Sequence, residues 1–149
     1  MLDLITLNAT GVLELDRIIG AALRGDTDEL KSLMKFDQVE CTVTEGLGGP
    51  PKCMDGEQAG TMVEVFPILD IEGHFLRKAD LESWNGLNVS ALAAVYEVSD
   101  AAYSDENYPA GQYAIVFIGA DENTSVTLVG GFQGNIIRMI AGEFLYLFL

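Results

Sequence analysis

The chain has 149 residues, of which 49% are hydrophobic, enough for one domain that buries most of the surface its unfolded chain exposes. Eight Lys and Arg residues oppose 23 Asp and Glu residues, which gives a formal net charge of −15. Such an imbalance repels phosphate backbones and anionic bilayers, and it excludes nucleic acid and membranes as main partners.

The first residues, MLDLITLNATG, lack the basic region and the long apolar run of a signal peptide. No stretch approaches the ~18 apolar residues that a bilayer-spanning helix needs. From the sequence as written we expect a soluble, unexported, cytoplasmic chain.

The first part of the chain predicts two helices. Between Thr10 and Arg24 the apolar residues recur at the three-and-four spacing of a helix with one buried face, and Gly25 is a natural stop. Asp26 is placed to cap a second helix, with Glu29 as its capping-box partner. The inward stripe of the second helix is Leu30, Leu33 and Met34.

After the helices the pattern predicts strands. Phe36–Val43 and Thr61–Leu69 come first, although Pro67 cannot donate to a ladder and directs its end of the strand toward an edge or a bulge. A short helix is predicted over Lys78–Trp84. The later strands predicted are Val89–Val98, Gln112–Ile118, Ser125–Val129 and Ile136–Ala141. The short, turn-rich segments between these strands favour antiparallel pairing over parallel crossovers. The order of helices and strands predicts a single α+β domain over residues 1–149.

This order of elements, together with the Gly-Asp break in AALRGDTDELKSLM, resembles the NTF2-like (SnoaL-like) superfamily. The resemblance implies N-terminal helices packed in the concave face of a strongly curved antiparallel sheet, forming a cone with a pocket. Sheets of that superfamily often pair face to face, which implies a homodimer. The segments CTVTEGLGGPPKC and GTMVEVFPILDIEGHFLRKADLESW are also similar to an uncharacterised bacterial domain, which implies no activity.

The stretch CTVTEGLGGPPKC carries the two cysteines of the chain. Zinc needs about four N or S ligands, and His74 is the only other soft ligand, so we expect no metal and no cofactor. Pro50 and Pro51 remove amides that a phosphate loop would need, and a redox pair normally has two intervening residues. Two interpretations remain. Cys41 and Cys53 form a structural disulfide, which favours an oxidising, extracytoplasmic compartment, or they are two free thiols.

Four ionisable side chains are candidates for acid–base chemistry. If the strand before Asp70 continues, Asp70 and His74 share one face with Glu72 between them, a set that suits a divalent cation or general acid–base catalysis; the alternative is a solvated turn. Glu64, inside MVEVFPIL, either faces solvent or faces inward as a general base. Arg77 follows closely and is a candidate to hold a ligand carboxylate.

Four further residues are candidates for ligand binding. Tyr96, Tyr113 and Arg138 fall in the late strands, where a concave face would bring them into a mostly apolar pocket and a convex face would make them ordinary sheet residues. Trp84 either packs against the sheet or contacts a ligand.

The final segment, GEFLYLFL, is apolar enough to aggregate if left in water. We therefore expect it to add a strand to its own sheet or to pack against a second copy. No nucleophile–base motif is visible, so the sequence favours a non-catalytic domain that binds a small, largely apolar molecule, acts as a homodimer, or both. The alternatives are a pocket enzyme of hydrolase or isomerase type and a structural domain with a filled core.

Overall fold

The structure, a computed structural model, describes residues 12–46, 49–69, 74–97, 113–130 and 134–143. It is an α+β arrangement in which helices α1 (Leu13–Arg24) and α2 (Thr27–Leu33) precede a mixed sheet of seven strands. The strands are β1 (Asp37–Glu40), β2 (Met62–Leu69), β3 (His74–Arg77), β4 (Val89–Glu97), β5 (Tyr113–Gly119), β6 (Thr124–Gly130) and β7 (Ile136–Glu143). A 3-10 helix occupies Lys78–Ser83, where a short helix was predicted. No described helix has the length and apolar character needed to cross a bilayer.

The junction between the helices follows from Gly25 and Asp26. Gly25 adopts a left-handed conformation with φ 68°, and the Asp26 N–H donates to the Ala21 carbonyl at 2.9 Å, which ends α1. The Asp26 carboxylate then caps α2 by accepting from the Glu29 N–H at 3.2 Å. Only half of the predicted capping box forms, because the Asp26 N–H is already used and the Glu29 carboxylate pairs with Arg17 instead.

One face of the sheet packs against both helices and carries the main core. Phe66 of β2 is fully buried there, and its ring lies 5.9 Å from that of Phe36. The other large members of this core are Leu15, Ile18, Ile19, Leu30, Ile115, Phe117, Leu128, Ile136 and Met139. The three-and-four spacing of α1 and the alternation of the late strands thus meet in one apolar layer.

The opposite face is buried as well at the centre of the sheet. Ala114, Val116, Thr127 and Val129 point away from the helices and are each at most 3% exposed. Strands buried on both faces lose the apolar–polar alternation, which accounts for the continuous apolar run AIVF in β5.

The strand order is β1-β2-β7-β6-β5-β4, with β3 pairing β2 outside this path, and the described sheet does not close. The prediction of purely antiparallel pairing is wrong at one place, because β2 and β7 run parallel. Turn spacing informs only on strands that follow one another closely, whereas β7 returns to β2 from far along the chain.

An edge or a bulge was predicted for this end of β2 from Pro67. The edge position is wrong, and no register shift marks a bulge in the described pairing with β3. The next residue, Ile68, pairs with His74 of β3 and with Met139 of β7, so β2 has a partner on each side there. Val65 likewise pairs with both β1 and β3. Strands β1 and β7 therefore follow one another along the same side of β2, and pairing with β7 begins only after the proline, which lacks an N–H.

Candidate functional site

A disulfide closes the loop that follows β1. Cys41 and Cys53 are bonded, and the Thr42 N–H donates to the Pro51 carbonyl at 2.8 Å. The Cys53 N–H in turn donates to the Thr42 carbonyl at 2.9 Å, so a short parallel bridge lies next to the disulfide. The disulfide, Val63 and Val65 form a second, smaller apolar cluster on the face opposite the helices.

A partly buried ion pair fastens the same loop to β3. The Arg77 guanidinium donates to both carboxylate oxygens of Glu57, each at 2.8 Å, and to the Lys52 carbonyl at 2.8 Å. These hydrogen bonds from Arg77, followed by one from the Met54 N–H, lower the pKa of Glu57 from 4.5 to about 2. The same contact raises the pKa of Arg77. The carboxylate that Arg77 holds thus belongs to its own chain, and a ligand carboxylate would have to displace Glu57.

The cysteines and Glu57 form the one cluster of potential metal ligands found among the described residues, with donor atoms within 4.8 Å of one another. With the cysteines joined in a disulfide, the cluster is not suited to bind a metal. Metals bind thiolates, whereas both sulfurs are in a disulfide, and Arg77 already occupies the Glu57 carboxylate. The cluster is therefore a structural tie between the loop and β3.

An open groove of about 580 Å³ lies between β1 and this loop. Its lining residues are Gln38, Val39, Glu40, Pro50, Pro51, Met62 and Phe75. Five of the seven side chains are apolar, and Glu40 is the one that carries a charge. Apolar walls with a few polar groups are typical of small-ligand and peptide sites.

The predicted acid–base residues do not assemble in the described part of the chain. Asp70, with Glu72, lies outside the described residues. Glu64 faces solvent with its side chain 46% exposed, and its carboxylate lies 3.5 Å from the Lys78 amine. His74 pairs with Ile68, four residues further along β2 than Glu64, which separates the two by about 13 Å at the rise of a strand.

The predicted trio of ligand-binding residues is divided between the two faces of the sheet. Tyr113 packs against the helix-side core. Tyr96 pairs with Ala114, and Val129 pairs with both Ala114 and Arg138, so Tyr96 and Arg138 lie in one row on the opposite face. The one-residue offset between Tyr96 and Tyr113 in the paired register separates them, because neighbouring strand positions point to opposite faces.

Trp84 follows the 3-10 helix and is half-buried against the main core, which agrees with the packing alternative considered for it. The groove residues Met62 and Phe75 were not singled out from the sequence. Neither was Glu57, because its partner lies 20 positions away and the loop between Cys41 and Thr61 carries no periodic pattern. The local signals that pointed to this region were the two cysteines and the proline pair of CTVTEGLGGPPKC.

Comparison of the chain with known protein families, with characterised proteins and with solved structures found no match in any of the three. The function therefore has to be argued from the geometry of the chain itself.

Proposed function

We propose that this protein is a non-catalytic binding domain that takes a largely apolar ligand in the groove beside the disulfide loop. The observation that carries the proposal is the lining of the groove, in which Val39, Pro51, Met62 and Phe75 surround the open space. Burial of such surfaces is the usual source of affinity for apolar ligands.

The walls of the groove are held in place, which favours binding. The disulfide, the Thr42 bridge and the Arg77–Glu57 pair all fasten the loop that carries Pro50 and Pro51. A preorganised wall loses little conformational freedom when a ligand arrives, and this improves affinity.

We also propose that the protein works in an oxidising, extracytoplasmic compartment. The support is the disulfide, since such bonds persist where thiols are not kept reduced. Mass measurement after alkylation of protein isolated under non-reducing conditions tests this, because recovery of two alkylated thiols contradicts it.

The NTF2-like cone and the homodimer belong to the same proposal. Packing of both N-terminal helices on one face of the sheet supports the cone. The apolar segment 144–149, which lies outside the described residues, motivates the dimer. Size exclusion with light scattering, with and without residues 144–149, tests the dimer, and a monomeric mass for both proteins counts against it.

The binding proposal is tested with N-phenylnaphthylamine, a neutral apolar probe that fluoresces when bound. Met62 and Met54 form a matched pair, since each is 54% exposed and only Met62 lines the groove. We expect Met62→Gln to weaken probe binding by roughly 1 kcal/mol, or about fivefold, through lost apolar contact. Met54→Gln should leave binding unchanged. Absence of probe binding, or equal effects of the two substitutions, contradicts the proposal.

A further inference from the structure

The outer edge of β1 offers backbone groups for pairing. Within the described ranges, β1 pairs along one side only, with β2. In an extended strand alternate residues direct their N–H and C=O groups to opposite sides. The Cys41 N–H points toward the β2 side, where it donates to the Thr61 carbonyl at 2.9 Å, and both backbone groups of Thr42 point away, to the loop. By this alternation Gln38 and Glu40 also direct their N–H and C=O groups away from β2.

Proline explains why the pairing between Thr42 and the loop does not continue along β1 in the described residues. The parallel bridge at Thr42 uses the Pro51 carbonyl and the Cys53 N–H. Continuation by one step would need an N–H from Pro51 to donate to the Glu40 carbonyl, and proline has none. The ladder therefore ends at Thr42, and the groove opens at the point where it ends, between Glu40 and the two prolines.

The two faces at this edge differ in character. Gln38 and Glu40 pair with Glu64 and Met62, so these side chains share one face, and that face carries two of the three carboxylates of β1 and β2. The third, Asp37, lies on the other face at the far end of β1 from the groove. Val39 projects to the other face, where it packs in the apolar cluster around the disulfide, next to Phe75. A strand added here would place alternate side chains beside carboxylates and beside apolar groups.

We propose that β1 binds an extended segment of a partner protein by strand addition, and that this segment alternates basic and apolar residues. The inference rests on the proposed function, since it identifies the ligand of the same groove. Charge selects a basic partner, because the lining carries Glu40 as its one charge and the whole chain carries −15. At this edge the same charge disfavours a second copy of this chain, so the homodimer proposed above would have to use segment 144–149 and not β1.

The probe for this inference is a short capped peptide in which lysine and valine alternate, titrated by calorimetry at low and high salt. We expect the affinity of this peptide to fall as the salt concentration rises. Replacement of every lysine by glutamate should weaken the affinity by about tenfold or more, because like charges then meet across the strands. Glu40→Lys should reduce that preference for the lysine peptide over the glutamate peptide, because it replaces the one negative charge of the lining with a positive one. An unchanged preference overturns the inference.

Backbone pairing is tested with two N-methylated peptides, one methylated at every lysine amide and one at every valine amide. Only one set of amides can face β1, so one peptide should bind at least about tenfold more weakly than the other, since its methyl groups remove the inter-strand hydrogen bonds. Equal affinities overturn strand addition. Gln38→Pro should reduce affinity for the unmodified peptide to a similar extent, because it removes an outward N–H and no donor to β2.

The neutral fluorescent probe separates the two proposals. Retained, Met62-dependent probe binding with no preference between the methylated peptides overturns strand addition and leaves the apolar binding site in place. Absence of probe binding to the native protein overturns the proposed function itself. A dimer in sedimentation velocity that Gln38→Pro converts to a monomer also overturns the inference, because the edge would then bind a second copy.

Discussion

Removing the Cys41–Cys53 disulfide should destabilise the protein mainly through its unfolded state. The native loop is also closed by other contacts, namely the Thr42 bridge and the hydrogen bonds from Arg77 to Lys52 and Glu57. These contacts remain when the covalent bond is absent. The unfolded chain, in contrast, gains the freedom that the cross-link had removed.

The size of the effect follows from the length of the closed loop. The two cysteines are 12 positions apart, and chain entropy for a loop of that length gives a loss of about 3 kcal/mol. For a domain of this size, such a loss corresponds to a fall in melting temperature of about 6–12 °C. Alanine is a better replacement than serine, because Cys41 is 3% exposed and the hydroxyl of a buried serine would itself destabilise the fold.

The assay is equilibrium unfolding in urea, followed by the fluorescence of Trp84, the single tryptophan. The native protein and the Cys41→Ala/Cys53→Ala variant are compared with and without a dithiol reductant. We expect the reductant to lower the free energy of unfolding of the native protein by about 3 kcal/mol and to leave the variant unchanged. A difference below about 1 kcal/mol would refute the entropic reasoning, and so would a reduced protein that lacks native secondary structure by circular dichroism.

Three further outcomes test the ion pair, the helix cap and the core. Glu57→Gln should lower the free energy of unfolding at neutral pH. The difference from the native protein should shrink as pH falls from 4.5 toward about 2, because the lowered pKa of Glu57 contributes stability only while the carboxylate is ionised. Urea unfolding across that pH range measures the difference, and a constant value contradicts the prediction. Asp26→Ala should lower the free energy of unfolding by about 1 kcal/mol, because it removes the hydrogen bond to the first turn of α2. Asp28→Ala, at an exposed position in the same turn, should cost less. Equal losses of the two variants in thermal melts would show that Asp26 does not act as a cap. Phe66→Ala should cost about 3–5 kcal/mol by leaving a cavity in the main core, and a loss below about 1 kcal/mol in urea unfolding would show that this residue is not at the centre of the fold.

Local pattern was sufficient for most of the elements that the structure describes. Three-and-four spacing predicted α1, with Gly25 as its end, and Asp26 predicted the start of α2. Apolar alternation and turn residues predicted six of the seven described strands, with shifts of a few residues at their ends, but not the short strand β3. These features depend on contacts between residues near in sequence, which is the information that a local pattern contains.

The candidate site was less accessible from the sequence. Which faces Tyr96 and Tyr113 occupy depends on the register of β4 with β5, and a shift of one residue reverses the result. The Arg77–Glu57 pair and the groove depend on how the loop returns across β3.

The sequence by itself determined the helices, every described strand except β3, the α+β class and the net negative charge, because each is set by residue type and local spacing. Only the tertiary structure decided that β7 lies parallel to β2, that Arg77 binds Glu57, and that a groove lies between β1 and Pro51. The physical reason is that these features join segments far apart in the chain, and their geometry is fixed by the packing of the whole sheet rather than by any local propensity.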